Sequence, residues 1–354
     1  MTDIAHARLV HQQIAQSTLK SPEEAVSHMG AIQAQDYPGA KWGIGLRLPG
    51  STDAGIERAL AEKTIVRTWA LRGTLHFVAA QDIRWLLALI GPRVITRNAR
   101  RYRELELDDH TLARSTTVLA DALQGGRRLA RPALRQILEM KGISTEGQRF
   151  AYMLQRASLD GVICQAGMQR NNPVFVALED WIPKTEPLER EQALAELARR
   201  YFTSHGPATG EDFRWWSGLP SADIRAGLDA VKKELTREII DGWVYWDRGT
   251  PGNGSGPIQA HLLPTFDEYL VGYRDRRSIL DLPDEGGQVF KNGLISPTII
   301  IEGRIAGTWK RTVDKRRGAV VVTPFIRFTP ARREAIAIAI RRYEEFLGMP
   351  VEWE

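Results

Sequence analysis

The chain holds a single cysteine, Cys164, among its 354 residues. An intramolecular disulfide is therefore excluded, and with it the thiolate clusters of structural zinc and iron–sulfur sites. Its seven histidines include no His-Glu-x-x-His run, and neither a Gly-x-Ser-x-Gly elbow nor a Walker phosphate loop occurs. No apolar run approaches the ~18 residues of a membrane-spanning helix. The opening residues, Met1-Thr2-Asp3-Ile4-Ala5-His6, lack a basic segment followed by an apolar one, so no signal peptide is expected. The expected location is the cytosol, in a bacterium the space around the nucleoid. No metal and no cofactor are expected.

What is present is ordinary in bulk and uneven in detail. Hydrophobic content of 43% and charged content of 26% suit a soluble globular protein. The length suggests two to four domains at ~100–150 residues each. Forty-eight Lys and Arg against 43 Asp and Glu leave a net charge of +5. Eight arginines (67, 72, 84, 93, 97, 100, 101 and 103) crowd one interval in which Asp82 is the sole acid. Clustered guanidinium groups suit phosphate contacts or a solvated helix face.

One early stretch stands out: Ile32-Gln33-Ala34-Gln35-Asp36-Tyr37-Pro38. The pattern before it predicts a helix that starts with a Ser21-Pro22 cap, is supported by Glu24, and runs through Ile32. Pro38 reads as the stop. Residues two apart do not share a helix face, so Gln33 and Gln35 converge only at a frayed end or in extended backbone. A carboxamide does not ionise near neutrality; it supplies an acceptor and two donors, suited to holding a water or reading a polar edge.

Further on, residues 54–63 predict a helix, and 65–78 a β-hairpin broken at Arg72-Gly73. A long helix from Gln81 should kink or break at Pro92. Helices at 111–123, 130–140 and 146–158 precede a second hairpin over 160–178. Helices at 191–205, 207–218 and 221–235 lead to a strand at 241–246. The run Leu154 to Val162, with Asp160-Gly161, aligns with Leu235 to Trp243, with Asp241-Gly242, at an offset of 81 residues. That echo suggests tandem copies of one unit. Thr250 to Pro257 reads as a mobile loop. Strands at 298–301, 305–310 and 319–326 and a helix from Pro330 to Leu347 close the chain. The expected class is α+β: tandem winged helix-turn-helix units over 1–105, 106–185 and 186–250, then a small antiparallel barrel or sheet with a C-terminal helix over 257–354.

Several stretches together resemble the AlkZ/YcaQ-type DNA glycosylases. They are Ile32 to Gln35, Arg67-Thr68-Trp69-x-x-Arg72-Gly73-Thr74-Leu75-His76, Gly206 to Trp216, Leu263 to Arg276 with Phe266-Asp267-Glu268-Tyr269, and Gly303-Arg304-x-x-Gly307-Thr308-Trp309. The resemblance implies winged helices and a small barrel around a DNA-sized channel. It also implies a monomeric enzyme that cleaves the N-glycosidic bond of alkylated purines in double-stranded DNA, crosslinked purines among them. The implied catalytic motif is glutamine–aliphatic–glutamine, here Gln33-Ala34-Gln35, which is similar to the AlkZ-like branch. Asp36 stands one place beyond it.

This chemistry is coherent. An N7-alkylated purine already carries a positive charge, which the electron pair of the broken bond neutralises, so it needs little acid assistance to leave, and two amides can orient the attacking water. DNA contacts are expected from the hairpin, through Arg67, Arg72, Gly73, Thr74 and His76. The basic helix adds Arg93, Arg97, Arg100 and Arg101, and the later strand Lys310 and Arg311. Trp69, Asp36, Tyr269, Tyr273 and Arg274 are expected at the lesion pocket. The acids and arginines of 267–276 equally suit a structural ion-pair network, His76 a buried strand position, and Trp215-Trp216 the core. The alternative function is a non-catalytic winged-helix DNA-binding protein or transcription regulator.

Overall fold

The computed structural model describes residues 3–249, 257–280, 287, 289–291, 294–313 and 317–353. The loop expected at Thr250–Pro257 therefore lies, except for Pro257, outside the described residues. The chain forms two compact units, one of Met1–Ile56 with Ala195–Glu354 and one of Glu57–Leu194.

In the first unit, Asp3 caps α1 (Ile4–His11) by accepting the N–H groups of Ala5 and His6. Ser21 caps α2 (Pro22–Met29) through the N–H of Glu24. The Glu24 carboxylate reaches back to Lys20 N, at 2.8 Å. This helix does not run to Ile32. It ends at Gly30, whose φ of 77° is cheap only for glycine, and Ile32–Gln33 is extended as β1. Pro38 is not a stop either: it lies in the first turn of α3 (Tyr37–Arg47), where a missing N–H costs nothing. The helix α4 (Asp53–Ala61) follows.

The second unit carries the expected hairpin, β2 (Ile65–Trp69) and β3 (Leu75–Ala79), joined through a 3-10 turn at Leu71–Gly73. Next, α5 (Ile83–Glu104) continues unbroken through Pro92. Burial of Trp85, Leu86, Ile90 and Val94 along it offsets the roughly 3 kcal/mol that an interior proline costs. Then come α6 (Asp109–Leu123), β4 (Leu129–Ala130), α7 (Arg131–Met140), α8 (Arg149–Leu159), β5 (Ile163–Gln169), β6 (Asn172–Ala177) and α9 (Leu178–Trp181). Within this unit the strands lie in the order β3-β2-β5-β6-β4. Leu119, Leu134, Leu138, Phe150 and Met153 form the core over them. Cys164 is buried in β5, and that burial pushes its thiol up to about 12, which makes it inert as a nucleophile.

The helix α10 (Arg190–His205) returns the chain to the first unit, followed by α11 (Gly210–Ser217) and α12 (Ser221–Val231). Thr209 and Asp212 close a reciprocal capping box on α11. The ribbon β7 (Thr236–Ile240) and β8 (Trp243–Asp247) comes next. Here the apparent repeat dissolves. Leu154–Leu159 is helical, whereas the aligned Thr236–Ile240 is a strand. Asp160 has φ −74° at the end of α8, but Asp241 and Gly242 have φ of 50° and 79°. The latter pair is the two-residue hairpin turn that needs positive φ twice. One dipeptide serves two unrelated turns, and the echo carries no structural copy.

The rest comprises β9 (Ala260–Leu263), α13 (Glu268–Val271), β10 (Phe290–Lys291), β11 (Leu294–Ile295), β12 (Thr298–Ile301), β13 (Arg304–Val313), β14 (Gly318–Pro324), α14 (Pro330–Leu347) and β15 (Val351–Trp353). The expected sheet is present, in the order β15-β14-β13-β12-β9, with only β14 and β15 parallel. Trp42 of α3 donates its indole N–H to Leu262 O at 2.7 Å, and Trp309 donates to Leu263 O at 2.8 Å. The Tyr343 ring of α14 lies edge-on to both. These contacts fasten α3, and so the glutamine run just before it, to the sheet. No helix among the described residues is long and apolar enough to cross a membrane.

Candidate active site

Extended backbone at 32–33 lets the two glutamines meet. The Nε2 of Gln33 donates to Gln35 Oε1 at 2.6 Å, and Gln35 N donates to Gln33 Oε1 at 3.2 Å. Gln33 is 5% exposed, whereas Gln35 faces solvent. The buried amide thus aims and steadies the exposed one, and the pair can bind a water without ionising.

Below the pair lies a buried polar layer. Glu268, wholly buried at the start of α13, accepts the main-chain N–H of Gln33 on Oε1 at 2.8 Å. Its Oε2 accepts the Trp216 indole N–H at 2.9 Å and lies 3.5 Å from His205 Nε2. Burial pushes the His205 imidazole down from its usual range, and the neighbouring Glu268 only partly opposes this. Asp267, the preceding residue, receives both terminal nitrogens of Arg47 at 2.9 Å each. On the open side, Arg311 pairs with Asp36.

Of the expected pocket residues, the first unit brings Asp36 beside the glutamine pair, but not the tyrosines. Tyr269 is fully buried, and its hydroxyl is bonded to Ala5 O and Gly303 O. Tyr273 is equally buried, donates to His205 O at 2.9 Å and packs against Arg8. Both phenols hold the core together, which corrects their assignment to a pocket. Arg274 is exposed and pairs with Glu211. Lys310 is exposed on β13. Arg311 is committed to Asp36 rather than held out for phosphate. Trp216 is core, as expected, whereas Trp215 is 46% exposed.

In the second unit, Trp69 is partly buried, stacks on Phe175 and packs against the core. Arg67 is buried and donates to Gln165 Oε1 at 2.7 Å, and His76 is buried against Thr74 O. Both are thus buried strand positions rather than solvent-facing side chains. Arg72, Gly73 and Thr74 sit half-buried at the hairpin tip. Along α5, Arg93, Arg97 and Arg100 are exposed, while Arg100 and Arg101 both pair with Glu104. Glu268, Trp216 and His205 are what sequence reasoning missed as supports of the glutamines. Glu268 lay in a quoted motif, but nothing local tells a buried anchor from a surface ion pair.

With this geometry in view, the comparisons with known proteins are decisive for class. The family model described as DNA glycosylase AlkZ-like matches residues 26–346. An interstrand DNA cross-link repair glycosylase of Streptomyces sahachiroi is 26% identical over 337 residues, 90% of this chain and 88% of that protein. The solved structure of Streptomyces sahachiroi DNA glycosylase AlkZ superposes with a TM-score of 0.79 at 22% identity. The match covers 99% of this chain and 98% of that one. The fold and the matched sequence define a DNA glycosylase, an enzyme that hydrolyses N-glycosyl bonds. Within that class, the chain belongs to the AlkZ-like DNA glycosylase family.

Proposed function

We propose that this glycosylase excises cationic N-alkylated purines, with Gln33 and Gln35 as its catalytic pair. The observation that carries the reading is the bond from the Gln33 carboxamide to that of Gln35, the first buried and the second open to solvent. A general acid needs a group that gives up a proton, and neither glutamine has one. The pair instead orients a water towards the sugar carbon while the base, cationic before cleavage, takes the electron pair of the N-glycosidic bond and departs neutral, and the water's spare proton passes to solvent. An uncharged base, which must be protonated before it leaves, gains little from such a site.

The same logic extends to purines tied across two strands through a cationic N7, because the bond broken and the charge on the leaving base are the same. The cross-link repair name of the Streptomyces relative supports this extension. We assign the helix-and-ribbon stretches to winged-helix units (1–105, 106–185 and 186–250) and the C-terminal sheet to a small barrel domain. In this reading a monomer binds one duplex in the bacterial cytosol. The exposed arginines of α5 contribute phosphate contacts, and the target nucleotide is flipped out of the stack.

The test is abasic-site formation on duplexes carrying 7-methylguanine, an N7 crosslink, uracil or hypoxanthine. Wild type should release 7-methylguanine and leave the neutral bases. Gln33→Ala and Gln35→Ala should abolish release and retain DNA binding. Excision of uracil at the same rate as 7-methylguanine would refute the proposed role of the amides.

A further inference from the structure

We propose that Glu268 is the positioning residue of the glutamine pair, acting through the main chain rather than on the substrate. The proposal rests on the assignment of Gln33 and Gln35 as the water-holding pair and adds what aims them. Gln33 can steady Gln35 only while its own backbone is held, and its main-chain N–H donates to Glu268 Oε1, at 2.8 Å.

The carboxylate itself is over-determined. Glu268 and His205 have no exposed surface, Trp216 donates to Oε2 at 2.9 Å, and His205 Nε2 stands 3.5 Å away. A carboxylate buried at such cost in a position a hydrophobic residue would fill is kept for what its two acceptor oxygens do. One oxygen holds the active-site strand, and the other is held by the α11 indole.

The proton inventory gives the test its sharpness. Ser204 Oγ spends its proton on Arg200 O at 2.7 Å, so it takes the Nδ1 proton of His205, 2.8 Å away. A neutral His205 then presents a bare Nε2 to position 268. Glutamine at 268 has one acceptor for two donors, those of Gln33 N and Trp216 Nε1, and so must forfeit one bond. Removing the indole donor as well, in Glu268→Gln with Trp216→Phe, lets the new carbonyl take Gln33 N–H while the new NH2 turns to His205 Nε2. Whichever way the amide turns, its NH2 is set against a donor, either the indole or Gln33 N–H, and the displaced side chain should weaken the anchor; the second change should repair it.

The experiment pairs single-turnover excision of 7-methylguanine with hydrogen exchange at the Gln33 amide. For Glu268→Gln the excision rate should fall on the order of 100-fold, the cost of misplacing a reacting group by about an ångström. Affinity for the same duplex should hold within about three-fold, as for a group that aims without binding. Gln33 exchange should accelerate, and the double variant should recover both rate and protection. Unchanged Gln33 exchange, an unchanged rate, or rate and affinity falling together would overturn the proposal. Wild type that excises no cationic purine, while Gln33 exchange still responds to Glu268→Gln, would defeat the substrate reading and leave the anchor standing.

Discussion

One terminal nitrogen of Arg311, on β13, reaches both carboxylate oxygens of Asp36, at 3.0 and 2.9 Å. The pair stands immediately after the glutamines and is about one-fifth and one-quarter exposed, at 19% and 28% for the two side chains. It cancels a negative charge on the surface that the proposed function turns towards DNA.

Removing Arg311 should therefore harm DNA binding more than folding. For a pair this exposed the stability loss in Arg311→Ala should stay at about 1 kcal/mol or less. The released Asp36 carboxylate should weaken duplex affinity about five-fold, roughly the value of one unscreened charge near a phosphate. Asp36→Asn with Arg311→Ala should recover most of that loss. Equal affinities for the single and double variants, measured by titration, would show that the two do not act as a unit.

The neighbouring ion pair predicts the opposite balance. Arg47 and Asp267 are 0% and 1% exposed and meet at 2.9 Å. Burial works to lower the Arg47 guanidinium, but Asp267 outweighs it and raises it. Arg47→Met strands a buried carboxylate that also caps α13, and should cost about 3–5 kcal/mol of stability. Adding Asp267→Asn should return part of it. A loss under about 1 kcal/mol in denaturant melts would mean that water enters the site.

Acid sensitivity should trace in part to His261 of β9. Burial pushes this imidazole from 6.5 to about 4. Between those values the unfolded chain binds a proton that the folded chain refuses, so stability falls as pH drops from about 6.5 to about 4. Two and a half pH units correspond to about 3 kcal/mol. His261→Leu should flatten the stability profile across that window and leave the alkaline side unchanged. A slope identical to wild type would assign the acid lability to other groups.

Salt dependence should divide the basic helix. Arg93 and Arg97 are exposed on α5 and make no ion pair among the described residues, whereas Arg100 and Arg101 share Glu104. Arg93→Ala with Arg97→Ala should reduce the slope of log affinity against log salt by about 2, and weaken binding equally for damaged and intact duplexes. Arg100→Ala should change the slope less. A slope unmoved by the Arg93 and Arg97 changes would remove α5 from the DNA face.

Features confined to a few neighbouring residues could be read before any coordinates. Ser21 caps the helix that follows it, the break at Arg72-Gly73 turns the first hairpin, and the glutamine run needs extended backbone to act as one. Each is local steric and hydrogen-bond chemistry, written within four or five positions. Where one local signal has two outcomes, the sequence misled. Pro38 opens a helix as readily as it ends one, and Asp-Gly both closes α8 and turns the β7–β8 ribbon.

By itself, then, the amino-acid sequence determined the chemical kind of the proposed site, a pair of non-ionising amides in a protein without thiolate clusters, and most of the succession of helices and ribbons around it. Only the tertiary structure decided that Tyr269 and Tyr273 are core and that Glu268, 235 residues from Gln33, holds its backbone. The physical reason is that the worth of a buried carboxylate or phenol depends on which donors and carbonyls the folded chain delivers to it from far away, and no local pattern encodes that delivery.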